Sequence, residues 1–275
     1  MVTTGPGPGA LHGLYVEHSQ SETGPGAPLV ACVHGSMDRH ASFVRLRARL
    51  APTCDVLLYD RRGYAASRDA VPPATGMDDH VADLFGLLEG RRAVLFGHSY
   101  GGDVALALAE RHPEVVAAAV IFEAPLPWLD LWHAPGTASD HLSWAAATPE
   151  ESAERFLRRM MGDRRYERIP AATRTELRKD GPALMTELTA IRRDPPPFDP
   201  GRIDVPVIVS WGGETVERHR RGAQWLAASL PRARKHMIEG AAHNGHRTHS
   251  KQIAELVLSA VALAASEPAQ PRVAT

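Results

Sequence analysis

A serine between two glycines is the first candidate for chemistry in this sequence. Residues 97–101 read Gly-His-Ser-Tyr-Gly, with Ser99 at the centre. The apolar residues 93–96 predict a short buried strand, and the run from Asp103 to Arg111 predicts a helix. A strand that turns into a helix within so few residues puts the serine at a tight corner, where the glycines keep Cβ atoms away. The hydroxyl is then exposed and the following N–H is free to bind an anion, as a nucleophile requires.

A serine hydroxyl is a poor nucleophile at neutral pH and needs a neighbouring base, commonly a histidine. His243 is the candidate, because it follows the last predicted strand and the small residues before it let its loop approach the corner. His246 and His249 are close alternatives. A simpler interpretation of residues 97–101 also stays open, namely a glycine-rich turn whose hydroxyl only caps the helix.

Acyl transfer also needs two N–H donors directed at one point, to bind the negative oxygen of the tetrahedral intermediate. Tyr100 supplies one main-chain N–H from the corner. The loop after the first convincing buried strand supplies the other, most simply from Ser36. His34 in the same loop either braces it or is an ordinary core histidine.

The elements that must position these residues alternate between strand and helix along most of the chain. Apolar runs predict strands near residues 28–33, 55–59, 93–96, 115–122 and 205–211, and a last strand is predicted near residues 235–238. This alternation predicts an α/β protein with a doubly wound, mostly parallel sheet. Ligands bind beyond the carboxyl ends of the strands in such sheets, which is where the candidate residues lie.

Between the two blocks of strands the pattern changes to short amphipathic helices with no evident strand. Residues 11–125 and 198–265 are therefore interpreted as the α/β core, and residues 126–197 as a helical cap over the mouth of the sheet. Residues 1–10 and 266–275 are expected to be flexible tails.

Four motifs in chain order resemble those of the α/β-hydrolase superfamily. They are Val33-His34-Gly35, Asp60-Arg61-Arg62-Gly63-Tyr64, residues 97–101 and Gly240-Ala241-Ala242-His243. The resemblance covers residues 28–125 and 200–265, and it implies the α/β-hydrolase fold with a serine nucleophile and no cofactor. The second and third motifs are also similar to those of cofactor-free haloperoxidases, which are esterase-like and can make peracids.

The acid that orients the histidine is where the sequence departs from the superfamily. Relatives usually carry aspartate in a Trp-Gly-x-x-Asp stretch, and here Thr215 stands in its place, next to Glu214. Glu123 ends the strand after the corner helix, and this position resembles the acid of some haloalkane dehalogenases. Those enzymes use an aspartate nucleophile, so Ser99 argues against halide displacement. Glu123 is the first choice for the acid, Glu214 is the alternative, and a site without an acid is the third option.

The cap and the loops around the corner supply candidate residues for a substrate pocket. They are His34, Met37, His98, Trp128, Leu129, Trp132, Trp144 and Met161. The tryptophan and methionine side chains among them fit the core of the cap equally well, since such residues are often buried.

Composition excludes several classes of partner. The formal net charge of −1 gives no field that would attract nucleic acid or an anionic membrane. With no membrane-length apolar run and no secretory leader pattern, and with Cys32 and Cys54 expected as free buried thiols, a cytoplasmic enzyme is the expectation. No metal-ligand spacing, phosphate loop or dinucleotide fingerprint is found. The oligomeric state stays open.

Together these features predict a serine hydrolase with a small-molecule substrate. The substrate would be a carboxylic ester, lactone or thioester of small to medium size, uncharged or weakly polar, cleaved through an acyl-enzyme. Two alternatives stay open. One is a cofactor-free lyase, cyclase or perhydrolase on the same scaffold, and the other is a ligand-binding protein that keeps the pocket without turnover.

Overall fold

The computed structural model describes residues 2–5, 13–69, 73–132, 148–191 and 195–266, with side chains from residue 13 onward. Eight strands in these ranges form one sheet, in the spatial order 1-2-4-3-5-6-7-8. In chain order they are β1 (Val2–Gly5), β2 (Val16–Ser19), β3 (Leu29–Val33), β4 (Asp55–Tyr59), β5 (Ala93–His98), β6 (Val116–Phe122), β7 (Val207–Gly212) and β8 (Ala233–Ile238). β1 and β2 pair antiparallel, whereas β3 to β8 are mutually parallel. The predicted doubly wound, mostly parallel sheet is confirmed.

Helices cover both faces of this sheet. Within the described residues they are α1 (Val44–Leu50), α2 (Met77–Leu87), α3 (Tyr100–Arg111), α4 (Pro149–Met161), α5 (Asp163–Glu167), α6 (Ala171–Arg178), α7 (Gly181–Ala190), α8 (Glu217–Ser229), α9 (Gly245–Thr248) and α10 (Ser250–Ser266). No helix among them has the length and apolar character needed to cross a lipid bilayer.

The central strands are apolar without alternation because both of their faces are covered. Every residue of β3, β5 and β6 is buried. Side chains of one parity, such as Val30 and Phe96, pack with α1 and α10. Side chains of the other parity, such as Ala31 and Leu95, pack with α2, α3 and α8. Cys32 and Cys54 are free and buried, as the sequence predicts.

The amino terminus differs from the expected flexible tail. Residues 2–5 form β1, which pairs with β2 at the sheet edge in the register Val2↔Ser19. Val2, Thr3 and Thr4 are β-branched residues, and such residues favour the extended conformation. Of the expected tail at the other end, Ser266 closes α10, and residues 267–275 lie outside the described part of the chain.

The described residues between β6 and β7 contain no strand, and they contribute α4 to α7. A capping box begins α4: Thr148 Oγ1 accepts from the Glu151 N–H at 3.2 Å, and the Glu151 carboxylate accepts from the Thr148 N–H at 3.2 Å. Buried Ala153, Leu157 and Tyr166 pack with Met37 and Tyr64 of the α/β part in a separate apolar cluster. The helical segment therefore rests directly on loops at the carboxyl ends of β3 and β4.

Candidate active site

The corner between β5 and α3 has the strained geometry that its sequence predicts. Ser99 has φ 52° and ψ −132°, a region that costs a non-glycine residue about 1–3 kcal/mol. Two main-chain hydrogen bonds hold it there, from Ser99 N–H to the Phe122 carbonyl at 3.0 Å and from Gly102 N–H to the Ser99 carbonyl at 2.7 Å. A Cβ on Gly101 would lie 2.1 Å from the Val33 carbonyl oxygen, so only glycine permits this approach.

The loop after β3 lies against this corner. A Cβ on Gly35 would lie 2.8 Å from the Cβ of Ser99, so the next residue, Ser36, is close to the serine in space. Tyr100 opens α3, and its N–H belongs to the first helical turn, where main-chain donors have no partner within the helix. The two N–H groups expected to bind an oxyanion therefore belong to segments that touch at Ser99.

Glu123 is the carboxylate beside His243. Its Oε2 lies 2.7 Å from His243 Nδ1. The same oxygen accepts from the Thr215 hydroxyl at 2.8 Å, and Oε1 accepts from the Gly212 N–H at 2.9 Å. Like Ser99, Glu123 has a positive φ, here 54°, immediately after a buried parallel strand. The side chain is 1% exposed, so protein donors replace water around it.

Glu214, the alternative acid, is exposed to solvent. Only its main chain joins the loop, through a hydrogen bond from the Glu214 N–H to the Ala241 carbonyl at 2.8 Å. Thr215 stands where the resemblance to α/β-hydrolases implies an aspartate, and its hydroxyl donates to Glu123. The carboxylate that contacts His243 therefore lies at the end of β6, and a residue that follows β7 donates a hydrogen bond to it.

Two buried histidines fix the surroundings of His243. His98 Nε2 donates to the His243 carbonyl at 2.9 Å, which ties the loop of His243 to the corner residue next to Ser99. The His219 ring lies 4.5 Å from the His243 ring at 30° between planes. Burial is the main reason that the pKa values of His98 and His219 lie well below the usual value, so both imidazoles are neutral near pH 7. Neither ring therefore adds a positive charge beside His243 near pH 7.

The role of His34 and His98 in lining a substrate pocket stays a prediction. Both are buried, with exposed fractions of 0% and 4%. His34 Nε2 accepts from the Arg61 N–H at 2.8 Å, and burial lowers its pKa to about 4. His34 Nε2 and His98 Nε2 each bond to a main-chain group, the Arg61 N–H and the His243 carbonyl, so each ring braces a neighbouring loop.

The remaining pocket candidates fall into two groups. Trp128, Leu129 and Trp132 are half-buried and pack on the main core, and the Trp132 ring meets the His219 ring edge-on at 4.9 Å. Met37 and Met161 belong to the apolar cluster under the helical segment. Trp144 lies outside the described residues. The His219 ring therefore lies between Trp132 and His243. The two methionines pack instead with residues of the helical segment.

Two groups of side chains in the described part of the chain bring metal-type ligands within 4.8 Å of one another. They are Asp38 with His98 and His246, and Glu123 with His219 and His243. In each group the imidazole rings are tilted, with centroids 3.9 Å apart at 35° in the first and 4.5 Å apart at 30° in the second. One ring nitrogen in each group already has a protein partner, since His98 Nε2 donates to the His243 carbonyl and His243 Nδ1 contacts Glu123.

Sequence comparison identifies the group of proteins to which this arrangement belongs. The sequence profile described as "Alpha/beta hydrolase family" matches residues 30–256, which is most of the chain. The chain belongs to the alpha/beta hydrolase family. The expected resemblance to that superfamily is thereby confirmed.

Individual relatives differ in how much of the chain they match. A pimeloyl-[acyl-carrier protein] methyl ester esterase of Chromobacterium violaceum is 31% identical over 236 residues, 82% of this chain and 90% of the esterase. The uncharacterized hydrolase YugF of Bacillus subtilis is 29% identical over 111 residues, 39% of this chain and 40% of YugF. Two further curated relatives are also matched over only 40% of their length. A hydrolase structure from Pseudomonas aeruginosa PA01 has a TM-score of 0.72 at 22% identity, covering 94% of this chain and 98% of that one, and this likeness concerns the fold.

Proposed function

We propose that this protein is a serine hydrolase that cleaves a small to medium carboxylic ester, lactone or thioester through an acyl-enzyme. The observation that carries the proposal is the contact between His243 Nδ1 and Glu123 Oε2 at 2.7 Å, on a loop that the His98–His243 hydrogen bond ties to the strained corner of Ser99. The methyl ester esterase, which matches most of this chain, supports an ester as the substrate. In this proposal the described helices between β6 and β7 form a cap over the sheet, and Trp132 contributes to the pocket wall.

In this proposal, each residue of the site has a separate role in the reaction. Ser99 Oγ attacks the substrate carbonyl carbon, and its proton passes to His243 Nε2. The carbonyl π electrons move to the oxygen, which the main-chain N–H groups of Ser36 and Tyr100 stabilise. When the tetrahedral intermediate collapses, the bond to the leaving alcohol, thiol or lactone oxygen breaks, and the imidazolium returns the proton to it. Water then repeats the sequence on the acyl-enzyme and releases the acid.

Glu123 acts through His243 and not on the substrate. Its carboxylate accepts from Nδ1–H, which leaves Nε2 as the basic nitrogen, and its negative charge stabilises the imidazolium. The donors from Gly212 and Thr215 keep that carboxylate in place during turnover.

A fluorophosphonate probe tests the proposal directly. We expect stoichiometric phosphonylation of Ser99, seen by peptide mass spectrometry, in the wild type and none in the Ser99→Ala variant. Ser99→Ala should also lower kcat for a p-nitrophenyl ester by about 10⁶, since the members of a triad act as a unit. Labelling of another residue, or full activity of Ser99→Ala, would overturn the proposal.

A further inference from the structure

One side chain of the helical segment reaches into the α/β part next to the oxyanion loop, residues 34–36. Glu187 lies on α7 and is 1% exposed. Its Oε2 accepts from the Ser36 hydroxyl at 2.5 Å and from the Tyr64 hydroxyl at 2.7 Å. Its Oε1 accepts from Arg61 Nη1. A carboxylate from the cap is therefore bonded to the loop that carries one of the two proposed oxyanion donors.

Arg61 holds the same loop from its other side. The Arg61 guanidinium is fully buried, and its Nε donates to the His34 carbonyl at 2.7 Å. The Arg61 main-chain N–H donates to His34 Nε2 at 2.8 Å. The loop is thus connected through His34 to one member of a buried ion pair, and through Ser36 to the other.

The burial of this ion pair makes its geometry rigid. A charge that loses its partner away from water carries a large desolvation cost, so Arg61 and Glu187 strongly favour staying together. The loop between them has little freedom to shift, because Gly35 lies against Ser99 on its inner side. A displacement of α7 would therefore be transmitted to Ser36.

We propose that Glu187 is a positioning residue, which holds the Ser36 main-chain N–H in the oxyanion hole and makes the seating of α7 a condition for full activity. This inference rests on the proposed function. An oxyanion donor stabilises the transition state only within hydrogen-bond distance of the developing negative charge, so a displaced donor lowers kcat more than it changes substrate binding.

Two matched variants separate positioning from stability. Ser36→Ala removes the hydroxyl but keeps the main-chain N–H, and Tyr64→Phe removes a hydrogen bond to the same carboxylate oxygen from a residue outside the loop. Both leave the Arg61–Glu187 pair intact. We expect Ser36→Ala to lower kcat about tenfold with KM changed by less than about twofold, and Tyr64→Phe to keep kcat within about threefold of wild type. Equal kcat values for the two variants would overturn the proposal.

Amide hydrogen exchange reports how well the oxyanion loop is held in place, and it requires no catalytic turnover. We expect the amides of residues 34–38 to exchange at least about tenfold faster in Ser36→Ala and in Glu187→Gln than in wild type, and to be unchanged in Tyr64→Phe. Unchanged exchange in Ser36→Ala overturns the proposal, and thermal melting identifies any variant that has failed to fold. If the wild type hydrolyses no ester, the proposed function is wrong. The exchange pattern alone then decides whether Glu187 holds the loop.

Discussion

At the scale of single residues, Glu123 is a buried carboxylate with three hydrogen-bond partners. Its two carboxylate oxygens are bonded to a main-chain N–H, a hydroxyl and an imidazole, and its main chain has a positive φ. Three partners restrict the orientation of this carboxylate, and the contact favours the His243 tautomer with its hydrogen on Nδ1, which leaves the Nε2 lone pair available for the proposed base. The strained backbone is consistent with a functional role, since such strain persists where the surroundings enforce it.

Separate replacement of Glu123 and of Glu214 shows which carboxylate orients His243, because only that variant should lose much of its kcat. Glu123→Gln should lower kcat by about 10⁴ because the amide favours the wrong tautomer of His243. Glu214→Gln is the matched control, and we expect kcat within about twofold of wild type because that side chain is exposed. Steady-state kinetics with a p-nitrophenyl ester measures both. The reverse ranking of the two variants would remove Glu123 from the mechanism.

The sequence reveals some of these residues and not others for a physical reason. Ser99 and Glu123 each follow an apolar run that is typical of a buried strand, and His243 follows the last predicted strand, so their position at one edge of the sheet can be predicted. The bond between Ser36 and Glu187 joins residues 151 positions apart and depends on how α7 packs. No local pattern encodes such a contact. From the sequence alone, Thr215 suggests that the acid is missing from its usual place. The local sequence does not show that Thr215 bonds to Glu123, because Glu123 follows a different strand.

At the scale of elements, the corner between β5 and α3 depends on close contact between main chains. α3 starts directly after Ser99, and its first turn lies under the loop that follows β3. The approach of Gly101 to the Val33 carbonyl leaves no room for a side chain. The contact fixes the direction of α3 relative to the oxyanion loop, so two segments of the site are aligned by one glycine.

A methyl group added at this contact should therefore destabilise the folded protein. We expect Gly101→Ala to lower the free energy of unfolding by about 3 kcal/mol or more, because main-chain atoms cannot move aside as a flexible side chain can. Gly76→Ala is the control, since its new Cβ would lie 3.9 Å from the nearest atom, and it should change stability by less than about 1 kcal/mol. Urea denaturation measures both. Similar values for the two variants would contradict the packing described for the corner.

Elements built from long apolar runs are predictable from sequence, and short edge elements are not. The central strands β5 and β6 read as continuous apolar runs because helices cover both of their faces. β1 has four residues at the sheet edge, followed by a glycine- and proline-rich stretch that is typical of a tail. Pairing with β2 stabilises it, and that pairing leaves no periodic signal in the sequence.

At the scale of the whole molecule, the described residues contain an unusual number of buried imidazoles. His34, His80, His98, His219 and His246 are each at most 4% exposed. Burial is the largest cause that lowers the pKa of each, and for His34 it lowers the pKa to about 4. In the opposite direction, burial raises the pKa of Asp103 well above its usual value. Burial therefore favours the neutral form of these five imidazoles and of the Asp103 carboxyl.

Stability should fall as the pH is lowered. Below pH about 6.5 the unfolded chain binds protons that the buried imidazoles do not, so each contributes a loss of up to about 1.4 kcal/mol per pH unit. For His34 that loss extends from pH 6.5 to about 4. Asp103 and Asp180 act oppositely, because their pKa values are raised and their folded state keeps protons that the unfolded state releases, but they are two groups against five. Urea denaturation at pH 5, 6 and 7 should show the free energy of unfolding rising with pH, and a flat or falling profile would contradict this description.

The acyl-enzyme is the central claim, and rapid quenching of a reaction tests it most directly. With a p-nitrophenyl ester in excess, acid quenching during turnover followed by peptide mass spectrometry should find the substrate's acyl group on Ser99. The nitrophenolate burst should approach one equivalent per site if deacylation is slow. Turnover at an undiminished rate by Ser99→Ala, with no acyl adduct on the wild-type peptide, would contradict the account.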